Sequence, residues 1–317
     1  MHLYILRRLL YTVPIIIGVT IVCFSFIHLA PGDPISAVLP ENASTELMEE
    51  IKAAYGLDKP LPIQYLKWLM HVAGGDFGTS IMTRRSVVSE VLPAVGKTAL
   101  LAITAITISF ALGITLGLLA GFSDRRVTDR SITAFAVVGI SVPHYWLGMV
   151  LVVIFAVQFQ ALPATGMGPA GTHVWDFGWK DLSHLVLPAL TLAMIPTGVL
   201  ARSVRAMVAE VRRQEFVQTL KGKGLRRPRI FLHIVKNAAP PILAIMGLQF
   251  AQLLGGSILV ETVFAWPGTG FLLNAAIATR DLPLLQGTVI VLATFFVLTN
   301  LAVDILQTAI DPRVRRT

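Results

Sequence analysis

The chain has 317 residues, of which 55% are hydrophobic and only 14% charged, with a mean hydropathy of +0.72. Soluble domains carry about 25% charged residues, so an ordinary soluble fold is excluded. The net charge of +8 is spread between apolar runs, a pattern of membrane topology and not of nucleic-acid binding. The lone cysteine, Cys23, forbids an intrachain disulfide. The seven histidines do not pair at metal-ligand spacing, so no metal site is expected.

Residues 9–30 are apolar and follow Arg7-Arg8. The run meets the ~20-residue criterion for a span, and no small-x-small cleavage pattern precedes Pro31. Residues 1–30 therefore read as a retained first transmembrane helix, N-terminus inside, rather than a signal peptide. His28, near its outer end, reads as interfacial. Residues 31–97, with eight acids and six bases, read as an external helical segment. Leu47, Ile51 and Ala54 mark one amphipathic helix, closed by Gly56. Pro60 and Pro62 break the chain, Leu66, Leu69 and Met70 mark a second helix, and residues 74–78 form a glycine turn. Gly96-Lys97-Thr98 imitates the end of a nucleotide-binding loop, but Val91 stands where that pattern needs glycine.

The core membrane domain is read over 98–307, with spans at 98–122, 131–159, 184–206, 236–258 and 284–306. Pro143 is expected to kink the long third span. The outer loop 160–183 is rich in Gly and Pro, and its Trp175 and Trp179 suit the interface. Residues 308–317 form a basic tail. This arrangement puts 18 of the 26 Lys and Arg inside, while the two short outer loops hold only Lys180 and Arg280. The expectation is an all-α membrane protein with six transmembrane helices and both termini cytoplasmic.

The stretch from Ala209 to Asn237 is the long polar interruption of the second half. It holds eight Lys or Arg against Glu210 and Glu215. Phe216, Thr219 and Leu220 fall at i, i+3, i+4 and are expected on one helical face. Gly222 and Gly224 should end that helix, and Pro228 suits the first turn of the next.

This loop, 209–235 at its core, resembles the EAA loop of the membrane subunits of bacterial ABC importers. Gln218-Thr219-Leu220 stands where the family has Glu-Ala-Ala, Gly224 is the family glycine, and Ile234 the family isoleucine. Lys236-Asn237 replaces a common Leu-Pro. The similarity runs end to end. It takes in Tyr4 to Leu10, His28 to Pro34, Gly75-Asp76-Phe77-Gly78, Trp146-Leu147-Gly148 and Leu162 to Gly166. It continues through Leu187-Pro188-Ala189, Val263 to Gly268, Arg280-Asp281-Leu282-Pro283 and Asp311-Pro312-Arg313. These stretches resemble the B-type permeases of dipeptide, oligopeptide and nickel ABC importers.

The resemblance implies a type I ABC importer fold in the bacterial inner membrane. It implies a second homologous permease, two cytoplasmic ABC ATPases, an external solute-binding protein and contact with membrane lipid. ATP and Mg would be bound by the partner subunits, and no cofactor or catalytic residue is expected in this chain. It also implies that Glu215, Phe216, Thr219, Leu220, Gly224 and Leu225 contact the ATPase. Di- and oligopeptides are the expected substrates, with nickel or glutathione as alternatives. Gln249 and Gln252 are intramembrane polar residues, read as facing the substrate path, with interhelical hydrogen bonding as the competing reading. Glu261 and Trp266 are placed past the fifth span, in a turn suited to a re-entrant gate. An ATP-independent channel or secondary transporter would need intramembrane charges for coupling, which are almost absent. A membrane enzyme finds no nucleophile elbow, no His-Glu-x-x-His and no paired carboxylates.

Overall fold

The computed structural model describes residues 2–29, 59–168 and 178–310. The amphipathic helix expected around Leu47 to Ala54, the interfacial Trp175 and the basic tail lie outside the described residues, as do the side chains of His28 and Trp179. Among the described residues the protein is helical, with one isolated β-bridge between Thr79 and Ser86.

The helices are α1 (His2–Leu29), α2 (Leu61–Ala73), α3 (Val87–Phe122), α4 (Arg126–Ser141) and α5 (His144–Leu151), which runs on into a π-helical stretch, Val152–Gln158. They continue as α6 (Trp179–Arg212), α7 (Glu215–Gly222), α8 (Arg227–Val263), α9 (Thr269–Ala278) and α10 (Leu282–Ile310). Four of them (α3, α6, α8 and α10) are long and apolar enough to cross a bilayer, and a fifth span exists if α4 and α5 count together. The sixth expected span is α1, whose described apolar stretch, Leu10–Ser25, is shorter than that criterion.

Two helical extents differ from the sequence reading. Helix α3 begins at Val87, well before residue 98, because its first turns carry Ser89, Glu90 and Lys97 and escape a hydropathy search. The stretch expected as one long, kinked third span is two helices that meet at 104° across Val142 and Pro143. Pro143 has no N–H to donate and favours extended backbone in the residue before it. Val142 is extended accordingly, with ψ of 124°.

The chain forms two compact units. The first comprises Met1–Gly96 with Gly268–Leu298. Val87, Val91, Ala276 and Leu284 make its core, with Phe77, Leu272 and Leu285 packed against them. Gly287 permits the approach of its helix, since a Cβ there would lie 2.4 Å from Val87 Cγ1. Asp281 is fully buried and accepts hydrogen bonds from Ser80 Oγ (2.5 Å), Met82 N (3.2 Å) and Leu284 N (3.2 Å). Two of the family-like stretches, residues 75–78 and 280–283, thus meet around this core.

The second unit comprises Lys97–Pro267 with Thr299–Thr317. Helix α6 is its centre and packs against α4, α5 and α8. On α3, Gly113, Gly117 and Gly121 recur every fourth residue and present bare backbone to Leu200, Val204 and Val208 of α6. A Cβ on these glycines would meet those side chains at 2.8, 2.5 and 2.8 Å. Small residues at this spacing let two membrane helices approach closely where lipid offers no hydrophobic drive.

Candidate functional site

The polar loop folds as an elbow between α6 and α8. Arg213 and Gln214 turn the chain, α7 occupies Glu215–Gly222, and α8 starts at Arg227 with Pro228 in its first turn. Gly224 takes the left-handed conformation, φ 73°. Gly224 N–H donates to Lys221 O at 2.9 Å and Leu225 N–H to Leu220 O at 3.2 Å. This pairing of bonds is the Schellman ending of a helix, and Leu220 and Leu225 both pack on the buried cluster beside it. Gly224 is exposed and a Cβ there would touch nothing, so backbone geometry, not space, selects glycine.

The face of α7 differs from the expectation. Val217 is its fully buried residue, seated among Val204, Val208, Val211, Ile230 and Ile234. Phe216, Leu220 and Leu225 are half-buried against the same cluster, whereas Thr219 is exposed and its hydroxyl bonds back to Glu215 O at 3.2 Å. The apolar face is therefore Phe216–Val217–Leu220. Val217 was missed as an anchor, although it continues the valines of α6 across the turn. Glu215, Gln218, Thr219 and Lys221 are left exposed. The elbow can bind through that polar edge and the outer rims of Phe216 and Leu220, while Val217 fixes it to the body beneath.

At the far end of α8 the chain builds a closed turn. Glu261 lies past the apolar span window but not in the turn. Helix α8 runs to Val263, so this acid lies in its last turn, fully buried, and accepts a hydrogen bond from Thr98 Oγ1 at 2.8 Å. The sequence alone hides this, because the partner is 163 residues away. Trp266 is also fully buried and its indole N–H donates to Lys97 O at 3.0 Å. Phe264 O accepts the Gly166 N–H at 2.8 Å. Gly148 abuts the Phe264 ring, where a Cβ would lie 3.1 Å from Cε2. Three family-like stretches, around residues 148, 166 and 264, are thereby joined.

Gln249 and Gln252 sit one turn apart on α8, the first buried and the second exposed, and Gln249 Nε2 donates to Gln252 Oε1 at 3.2 Å. This bond lies within one helix, and Gln252 is left exposed. Among the described residues no group of His, Cys, Asp and Glu could hold a metal ion.

Two family models match the chain. One is the binding-protein-dependent transport system inner membrane component, over residues 113–316, and the other is its N-terminal counterpart, over residues 1–102. The chain is 37% identical to a dipeptide transport system permease protein of Alkalihalophilus pseudofirmus over 329 aligned positions, covering 98% of this chain and 99% of the relative. It is 36% identical to the protein of the same name from Escherichia coli, covering 98% of each. A glutathione transport system permease protein of Salmonella paratyphi A is 37% identical, again over 98% of each.

Proposed function

The chain belongs to the family of binding-protein-dependent transport system inner membrane components, and from that premise we propose that it is the six-span permease half of an ATP-driven importer of di- and oligopeptides. It is a multi-pass inner membrane protein and not itself an enzyme, since the ATPase of such importers is a partner subunit. The observation that carries the substrate reading is end-to-end similarity to permeases named for dipeptide transport.

In this reading both termini lie in the cytoplasm and a second, homologous permease completes the pathway. Two ATPases bind ATP and Mg and grip the exposed edge of α7, with Glu215, Phe216, Thr219, Leu220, Gly224 and Leu225 at the contact. An external binding protein delivers the peptide. Gln249 and Gln252 line the path, and Glu261 with Trp266 hold the gate end of α8. The elbow's build suits a lever, because Val217 couples whatever moves α7 to α6 and α8. No cofactor binds this chain itself.

Purification from native membranes, followed by transport in vesicles, tests the reading. We expect two ATPases and a second permease to co-purify, and ATP-dependent accumulation of labelled dipeptide when binding protein is added. Accumulation without ATPases would overturn it in favour of a channel or secondary transporter. Equal similarity to a glutathione permease supports a second reading, in which glutathione is the cargo. Excess glutathione abolishing dipeptide binding to the delivered binding protein would favour it.

A further inference from the structure

Beneath the elbow, two arginines of α6 reach sideways to neighbouring helices. Arg205 forks onto Asp129 in the first turn of α4, with Nε on Oδ1 and Nη2 on Oδ2 at 2.6 Å. Arg212 lies seven residues further on, and two helical turns return it to the same face. Its Nη1 donates to Gly121 O at 2.7 Å and its Nη2 to Asp124 Oδ1 at 2.9 Å. Its guanidinium lies 5.6 Å from the centre of the Phe122 ring, and that ring packs on Phe231 of α8 at 4.7 Å. Arg212 is the last residue of α6, and α7 begins at Glu215.

We infer that Arg205 and Arg212, with Asp129 and the end of α3 as their counterparts, are positioning residues that lock α3 and α4 to the coupling elbow so that its motion is transmitted to them. The inference rests on the reading of α7 as the ATPase contact. Apolar packing alone does not do this work. The glycine face between α3 and α6 sets a close apolar approach that contains no directional bond. A two-pronged guanidinium contact does fix register, since both prongs fail if either helix shifts along its axis. Helix α4 then leads from Asp129 directly to the 104° break at Val142 and Pro143.

The stabilising value of these pairs is a weaker explanation of their presence. Exposed ion pairs contribute only about 0–1 kcal/mol, and the Asp124 side chain is 90% exposed. The Asp129 pair is half-buried and two-pronged, and Gly121 O belongs to the last turn of α3, where carbonyls lack helical partners. Geometry, more than energy, is what these contacts supply.

The test uses the whole importer in vesicles and reads peptide taken up per ATP hydrolysed. Asp129→Asn, Arg205→Gln and Arg212→Gln should each lower that ratio about fivefold or more while the ATPases co-purify in wild-type amount. The exchanged pair Asp129→Arg with Arg205→Asp should recover most of it. If Arg205→Gln fails to assemble, Arg205→Lys, which keeps the charge and loses the fork, carries the same expectation. A merely stabilising pair would reduce the amount of complex and leave the ratio unchanged, and that result overturns the inference, as does an exchanged pair that recovers nothing. Gly224→Asp is measured alongside. If it lowers the ratio and the brace variants do not, the brace alone is wrong. If neither lowers it, the coupling role of α7 fails and the brace with it.

Discussion

The turn after α7 and the turn after α8 are the same backbone device put to different uses. Each ends a helix with a left-handed residue and two crossed bonds. In the elbow these run from Leu225 N to Leu220 O at 3.2 Å and from Gly224 N to Lys221 O at 2.9 Å. In the second turn they run from Trp266 N to Glu261 O at 2.9 Å and from Ala265 N to Thr262 O at 3.3 Å. The two turns sit at opposite ends of a 37-residue helix, about 55 Å apart at 1.5 Å per residue. In the elbow the residues flanking the crossing are half-buried leucines and the left-handed residue is an exposed glycine. In the second they are Glu261 and Trp266, both fully buried and each bonded to the start of the unit at Thr98 or Lys97. The backbone motif supplies the reversal of direction. What the side chains bond to decides whether it is an accessible elbow or a fixed joint.

Breaking the fixed joint should have the largest effect. Trp266→Ala removes a fully buried indole and its bond to Lys97 O, a change that costs about 3–5 kcal/mol in protein cores. The loss here comes mainly from packing and the cavity, because lipid weakens the transfer contribution. Thermal unfolding followed in detergent checks it, and a midpoint lowered by less than about 2 °C would remove the claim that this turn is a joint. Next comes Val217→Ala, the one fully buried residue of α7. It should cost roughly 2 kcal/mol and should show as faster proteolysis at the basic elbow, with the rest of the chain still folded. Gly224→Ala follows at about 1 kcal/mol, the penalty of a Cβ in the left-handed region, since no neighbour would collide with it. Gly224→Asp is easier on the backbone, as Asp enters that region more readily. It should therefore leave protein levels normal while abolishing ATP-driven uptake, a separation that uptake and immunoblotting of the same membranes will show.

The elbow was largely legible in the sequence because its signals are local. Gly224 and Pro228 set the helix ends by their own conformational preferences, whereas Gly222, also expected to stop α7, is its last helical residue and keeps a negative φ; the charges between apolar runs placed the loop. Val217 was not legible as the anchor, since Phe216, Thr219 and Leu220 match a helical face equally well on spacing, and only packing against Val208 and Ile230 decides between them. Trp266 lies in the turn as expected, but Glu261 was read into that turn and not into the helix before it, for the complementary reason. An acid at the end of an apolar run reads as a loop unless its partner is known, and Thr98 lies 163 residues away. The break between α4 and α5 stayed hidden because Pro143 in an apolar run is compatible with a mild kink as well as with the 104° bend found. The Arg205–Asp129 fork was invisible because membrane topology already accounts for basic residues between apolar runs.

The smallest effect tests the comparison most directly. Ala265 holds φ 46°, where a Cβ crowds the following carbonyl at a cost of roughly 1–2 kcal/mol. Glycine at this position would relieve that strain but widen the conformational freedom of the unfolded chain, an opposing loss of about 0.4–1 kcal/mol. Ala265→Gly should therefore raise the unfolding midpoint slightly, where Gly224→Ala lowers it. If the joint is fixed by Glu261 and Trp266, the added backbone freedom will not be expressed and transport will be unchanged. Loss of uptake in Ala265→Gly, with the protein more stable, would mean that the strained alanine limits motion at this turn. The second turn would then be a hinge held stiff, and the distinction between elbow and joint would be one of degree.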